Sequence, residues 1–182
     1  MSLQKTREFI LQEKMISLTD KGKIMNLDGE VVGTFRGKLI KIGNTYRIRE
    51  LDETPILTIK EKIISVRSTY KFYLGGEIDD AKYLGKMKQK LVSIKPKYWF
   101  ELNEQRVFTM KGNIWSLKFN IIKDNKVVAE IHKKLFKSIL RGTYGVKMSP
   151  DLDDGSAMLI LGIVIMLHHE KEENQKKRRR RF

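Results

Sequence analysis

Ile59-Lys60-Glu61-Lys62-Ile63-Ile64 is one of six copies of a short pattern. Each copy has an apolar residue, usually a basic one, a spacer, usually Lys, then two apolar residues. The fourth position of each copy falls at Lys14, Lys38, Lys62, Lys90, Asn113 and Lys134, so the steps are 24, 24, 28, 23 and 21 residues. A near-fixed period of this length marks a repeated supersecondary unit and decides the architecture before any local assignment. After each copy the sequence alternates. Tyr46 and Ile48 interleave with Arg47 and Arg49; Tyr70, Phe72 and Leu74 with Lys71 and Tyr73; Tyr98, Phe100 and Leu102 with Trp99 and Glu101. Leu117, Phe119 and Ile121, then Tyr144, Val146 and Met148, continue the series. A period of two with aromatic and β-branched enrichment predicts strands with one buried face.

Turn signals stand between these runs at Asp28-Gly29, Gly43-Asn44, Gly75-Gly76, Asn103-Glu104 and Asp124-Asn125. Each unit therefore reads as one hairpin, and six hairpins give about twelve strands. That many strands curl, and a closed antiparallel barrel removes the exposed edges. The three prolines of the chain agree with unbroken ladders.

The texture changes at Ala157-Met158-Leu159-Ile160-Leu161-Gly162-Ile163-Val164-Ile165-Met166-Leu167, which is apolar on every side. As a helix it would be roughly 16 Å long, too short for a bilayer core that takes about 20 residues. Asp151, Asp153, Asp154 and Ser156 precede it as N-terminal acceptors, and His168, His169 and Lys171 follow as helix-end partners for the dipole. A helix apolar all round is buried all round. The reading is a mainly β protein: a closed antiparallel barrel threaded by a helix over about 156–169, in one domain spanning 7–170. A further buried strand is the competing reading of the apolar run, since Ile and Val are frequent in it. Residues 171–182 read as a disordered basic tail.

The net charge is +15, of which the tail contributes five and the remainder ten. Both parts are basic, which points to an anionic partner. Zero cysteines exclude disulfides, thiol nucleophiles and Cys-ligated metal. Met1 to Glu8 lacks the apolar core of a signal peptide, so the expected location is cytoplasmic, with peripheral membrane association under the lipid reading below. Gly75-Gly76 and the 142–145 stretch lack the context of a phosphate loop, and there is no Gly-x-Ser-x-Gly elbow. Asp151, Asp153 and Asp154 lack the remaining ligands of an EF-hand. His132 occupies the basic slot of its copy and reads as a solvent-facing strand residue. The chain reads as non-enzymatic, with no cofactor or metal.

Lys62-Ile63-Ile64-Ser65-Val66 leading to Tyr70, and Lys90-Leu91-Val92-Ser93-Ile94-Lys95-Pro96-Lys97-Tyr98, carry a family resemblance. With the Asp28-Gly29 hairpin, the Thr143-Tyr144-Gly145-Val146 strand and the Asp-rich step into the apolar run, the chain resembles the LURP-one-related proteins from about Arg7 to Glu170. The resemblance implies the tubby C-terminal-like fold, a twelve-stranded barrel around a hydrophobic helix, shared with tubby proteins and phospholipid scramblases. It implies membrane phospholipid as a ligand class; the tail lies outside it.

The expected anion-binding residues are Lys176, Lys177, Arg178, Arg179, Arg180 and Arg181. Trp99, Trp115 and Tyr73, near Lys97, Lys111 and Lys118, suit a membrane interface or stacking on nucleic-acid bases. The expected partner is anionic phospholipid. Nucleic acid bound through the same charge is the alternative, and a structural or protein-interaction module a third reading.

Overall fold

The computed structural model describes residues 3–12, 21–38, 43–62, 68–90, 97–132, 135 and 143–179. The second halves of most repeat copies, including Ile63-Ile64 and Leu91-Val92, lie outside the described residues. Among those described, twelve strands follow in chain order: β1 (Glu8–Gln12), β2 (Lys21–Met25), β3 (Val31–Lys38), β4 (Thr45–Arg49), β5 (Pro55–Glu61), β6 (Thr69–Leu74), β7 (Tyr83–Gln89), β8 (Tyr98–Leu102), β9 (Gln105–Asn113), β10 (Lys118–Lys123), β11 (Lys126–His132) and β12 (Thr143–Met148). One helix, α1 (Asp154–Arg179), follows them.

Every strand pairs antiparallel with its sequence neighbour, and β1 closes the ring on β12 through five residue pairs, from Glu8–Lys147 to Gln12–Thr143. This is the closed barrel that the repeat implies. The turns follow the local chemistry: Asn103-Glu104 and Asp124-Asn125 hold both central residues at positive φ, the two-residue geometry whose twist matches the strands it joins. Because strands adjacent in sequence pair antiparallel throughout, the barrel has two distinct ends. Turns leaving even-numbered strands gather at the end where α1 begins; α1 then runs up the axis and leaves at the other end, the mouth.

Helix and barrel supply each other's core. From Ala157 to Leu167 every α1 side chain is buried except Leu159, which is half-buried. Facing it are the inward residues of the strands, among them Tyr46, Ile48, Leu57, Ile59, Phe72, Met87, Phe100, Phe108, Ile121 and Val146. Gly162 marks the closest approach: a Cβ there would stand 2.6 Å from Leu57 Cδ2 and 2.8 Å from Phe72 Cε1. The N-terminus of α1 is capped by Asp153, whose Oδ1 accepts from Ser156 N at 2.7 Å, while Arg7 pairs with Asp154 at 2.6 Å and donates to Leu152 O. The acidic step is thus a helix cap tied to the start of β1.

Three expectations need correction. The helix does not stop near residue 169, and the tail up to Arg179 is helical. Glu172, Glu173, Gln175 and Lys176 are good helix formers continuing a helix already nucleated, so each adds a bond without the entropic cost of a new start. An ion pair between Glu173 and Lys176 at 3.0 Å and a bond from Asn174 Nδ2 to Glu170 O reinforce the extension, and the four cations at its end suit the dipole. Second, His168 and His169 are not helix-end residues; each is 1% exposed. Third, β6 departs from the expected alternation, because a register shift at Phe72/Tyr73 buries Tyr73 against Tyr83 and leaves Leu74 exposed.

Candidate functional site: a cationic cleft beside Trp99 and a basic helix end

Trp99 lies on the outer face of β8, since Tyr98 and Phe100 on either side point inward. Its indole is fixed from two directions. Nε1 donates to Glu101 Oε2 at 2.7 Å, and the Arg106 guanidinium from β9 lies 5.0 Å from the ring centroid. Glu101 is itself held by Lys86 at 3.3 Å and by a close ion pair with Lys88, both from β7. Burial alone would raise the Glu101 carboxyl, but hydrogen bonds from Lys88, Trp99 and Lys86 outweigh it and lower its pKa to about 2. The carboxylate therefore neutralises β7 locally and anchors the indole.

The cations around Trp99 line a cleft of about 600 Å³, within the range of small-ligand sites. Lys90 and Lys97 stand at its mouth end, Arg106 and Lys111 come from β9, and Thr109 adds a hydroxyl. None of the described residues lining it is a carboxylate. The arrangement offers an apolar wall with charge on its rim, which suits an anion attached to an apolar body.

Sequence reasoning singled out Trp99, Lys97 and Lys111, and the structure brings all three to this cleft. It missed Lys90 and Arg106. Lys90 was visible as a repeat position and within the family resemblance but not as a cleft residue, and Arg106 reaches Trp99 through the β8–β9 hairpin register, which pairs Glu101 with Arg106.

The expected tail residues sit elsewhere. Lys176, Lys177, Arg178 and Arg179 form the last turns of α1 beyond the mouth, and Arg180 and Arg181 lie outside the described residues. Arg178 lies 4.7 Å from the ring centroid of Trp115, which is 40% exposed in the turn between β9 and β10. The basic helix end is thus docked beside the strand that supplies Arg106 and Lys111 to the cleft.

Below this basic end, phenols seal the mouth. Tyr46, Tyr70, Tyr98 and Tyr144 begin β4, β6, β8 and β12 at nearly equivalent positions, and all four rings are buried. Tyr70 donates to Glu170 Oε1 at 2.6 Å and Tyr98 to Oε2 at 3.4 Å; the Tyr46 hydroxyl is 3.0 Å from His169 Nε2, and Tyr144 stacks on His168. Adjacent His168 and His169 diverge by about 100° around the helix, so His168 meets Tyr144 of β12 and His169 meets Tyr46 of β4 and Tyr70 of β6. Burial first, and nearby carboxylates second, push the Tyr46, Tyr70 and Tyr98 phenols upward, so they remain donors. Tyr70→Phe removes the short donor to a buried carboxylate. It is expected to cost about 1.5–3 kcal/mol, read as a lower urea midpoint with an unchanged m value. Tyr98→Phe, losing a bond of 3.4 Å, should cost distinctly less.

A family model described as LURP-one-related matches residues 7–168. No curated protein matches the chain. An X-ray structure of a protein from Arabidopsis thaliana superposes with a TM-score of 0.61 over 87% of this chain and 89% of that one, at 16% identity, which is a likeness of fold. The residues matched run from the arginine that ties down the N-terminus of α1 to the first of the two buried histidines, which takes in every strand of the barrel. The chain belongs to the LURP-one-related family.

Proposed function

We propose that the protein is a non-catalytic binding module for anionic phospholipid at a membrane surface. The observation that carries this reading is the Trp99 cleft, with four cations on its rim and an indole held in place within it. A headgroup phosphate pairs with Lys97 and Lys111, and the indole accepts the glycerol and proximal acyl region, the amphipathic role Trp plays at membrane interfaces. Lys176 to Arg179 add attraction from the adjoining helix end. Among the described residues no helix is long and apolar enough to cross a membrane, which fits binding from one side.

Vesicles of graded phosphatidylserine content, set beside duplex and single-stranded nucleic acid at matched ionic strength, test the reading. Each basic residue near an anionic surface contributes on the order of 1 kcal/mol, so Lys97→Glu/Lys111→Glu should weaken vesicle binding by about thirtyfold or more. Truncation after Gln175 should weaken it further and leave the thermal midpoint within a few degrees. Undiminished vesicle binding by the double variant overturns the cleft. Preference for nucleic acid over every vesicle overturns the lipid reading.

A further inference from the structure

Among the described residues the two ends of the barrel differ in charge. Connections 26–30, 50–54, 75–82, 103–104, 124–125 and 149–153 form the end where α1 begins. Together they hold twelve Asp and Glu and one cation, Lys82. That cation is occupied by Glu77, and Arg49, Lys123 and Arg7, next to the connections, pair with Glu53, Asp153 and Asp154. The mouth end, among the described residues, presents Lys62, Lys90, Lys97 and the four cations closing α1, against Glu61, Glu172 and Glu173. Leu51, Leu74, Ile78, Leu102 and Val127, between 37% and 59% exposed, lie at the acidic end on neighbouring hairpins. Among the described residues of the basic end, Trp115, beneath Arg178, is an exposed large apolar side chain.

Singly exposed apolar residues need no explanation, but an arc of them on four successive hairpins, interleaved with carboxylates, marks an interaction surface. Its complement is a cationic segment with an apolar or aromatic member. The basic end of α1 with Trp115 has that chemistry. Within one molecule the two cannot meet, because a helix of 26 residues separates them by roughly 39 Å along the axis.

We propose that copies of this chain associate head to tail, the acidic apolar rim of one receiving the basic helix end of the next. Leu74, Ile78 and Leu102 pack against the Trp115 side, and Asp79, Asp80 and Glu104 face the α1 cations. The contact joins two different surfaces, so each added copy leaves both kinds of end available. Growth continues into open chains unless the rotation per copy closes a ring. This inference needs no ligand in the Trp99 cleft, but it uses the same α1 cations that add attraction in the lipid reading, so the two engagements compete for the helix end.

Light scattering on the full chain across a concentration series tests it. At about 0.05 M salt the screening length is about 14 Å, and at about 0.5 M it is about 4 Å. The weight-average mass should rise at least about twofold above 21.3 kDa with concentration at low salt, and return towards it at high salt. Ile78→Lys/Asp80→Lys and Arg178→Glu/Arg179→Glu each set like charges opposite one another within the contact, so each alone should stay at monomer mass. An equimolar mixture of the two restores opposite charges at the facing ends and should regain growth. A wild-type chain of monomer mass at every concentration in low salt overturns the proposal. So does growth of either variant alone to the wild-type extent, or a mixture that stays monomeric.

Discussion

Ile163→Lys is expected to yield no soluble, cooperatively folding protein. Ile163 is fully buried at the middle of α1, roughly 14 Å along the axis from Asp154 and farther still from Arg179. A lysine stem reaches about 6 Å, so its ammonium cannot extend to water at either end of the barrel. Among the described residues the buried carboxylates are Glu101, held by Lys86 and Lys88, and Glu170, roughly 10 Å further along α1 from Ile163. An uncompensated buried charge costs several kcal/mol, comparable with the 5–15 kcal/mol of a whole domain. Expression of Ile163→Lys beside Val127→Lys makes the comparison direct, since Val127 is 49% exposed and its variant should fold normally. A soluble Ile163→Lys protein with a sharp urea transition would show that the helix does not fill the barrel.

The second large effect is acid sensitivity centred on His169. Burial lowers its pKa to about 4, opposed by Glu173 and assisted by Lys176 and Lys177; Tyr46 and Tyr70 face the ring from the barrel wall. An unfolded histidine titrates near 6.5. Between those values the unfolded chain binds a proton that the folded chain refuses, so folding is favoured fully above about pH 6.5 and progressively less towards pH 4. The loss amounts to about 3 kcal/mol. Glu61 acts with the opposite sign: burial, with Glu170 and Glu173 nearby, raises its carboxyl, which adds stability as pH falls through that raised value. Comparing wild type with His169→Gln separates the two. The variant should lose most of the decline between pH 6.5 and 4, and identical slopes would remove His169 as the cause.

How much of this was legible in the sequence varies by element. The barrel was, because Tyr46/Ile48, Tyr98/Phe100 and Phe119/Ile121 alternate cleanly and the Asn103-Glu104 and Asp124-Asn125 turns state their geometry. The end of the helix was not. Charge at Lys176 to Arg179 read as disorder, and nothing local shows that a helix leaving a barrel is already nucleated when it reaches solvent. His168 and His169 were misplaced for the same reason, since a helix assumed to end at 169 puts them in its last turn. The phenol seal was half visible: tyrosines recur at equivalent repeat positions, but their partner Glu170 is a hundred residues from Tyr70. For the Trp99 cleft the residue types were apparent, while the contribution of Arg106 needed the hairpin register.

The position of α1 after all twelve strands has a consequence for how the protein is made. At about 5–20 residues per second, a chain of 182 residues takes about 10–40 s to synthesise. For about four-fifths of that time the strands accumulate one after another, while the segment that fills their common interior does not yet exist. A ring of hairpins without its axle exposes Phe72, Phe100 and Phe108 to the inside of an unfilled shell. Nascent chains stalled before Asp154 should therefore remain protease-sensitive along their whole length and recruit holding chaperones. Chains released from the ribosome with α1 complete should pass to resistance in a single step.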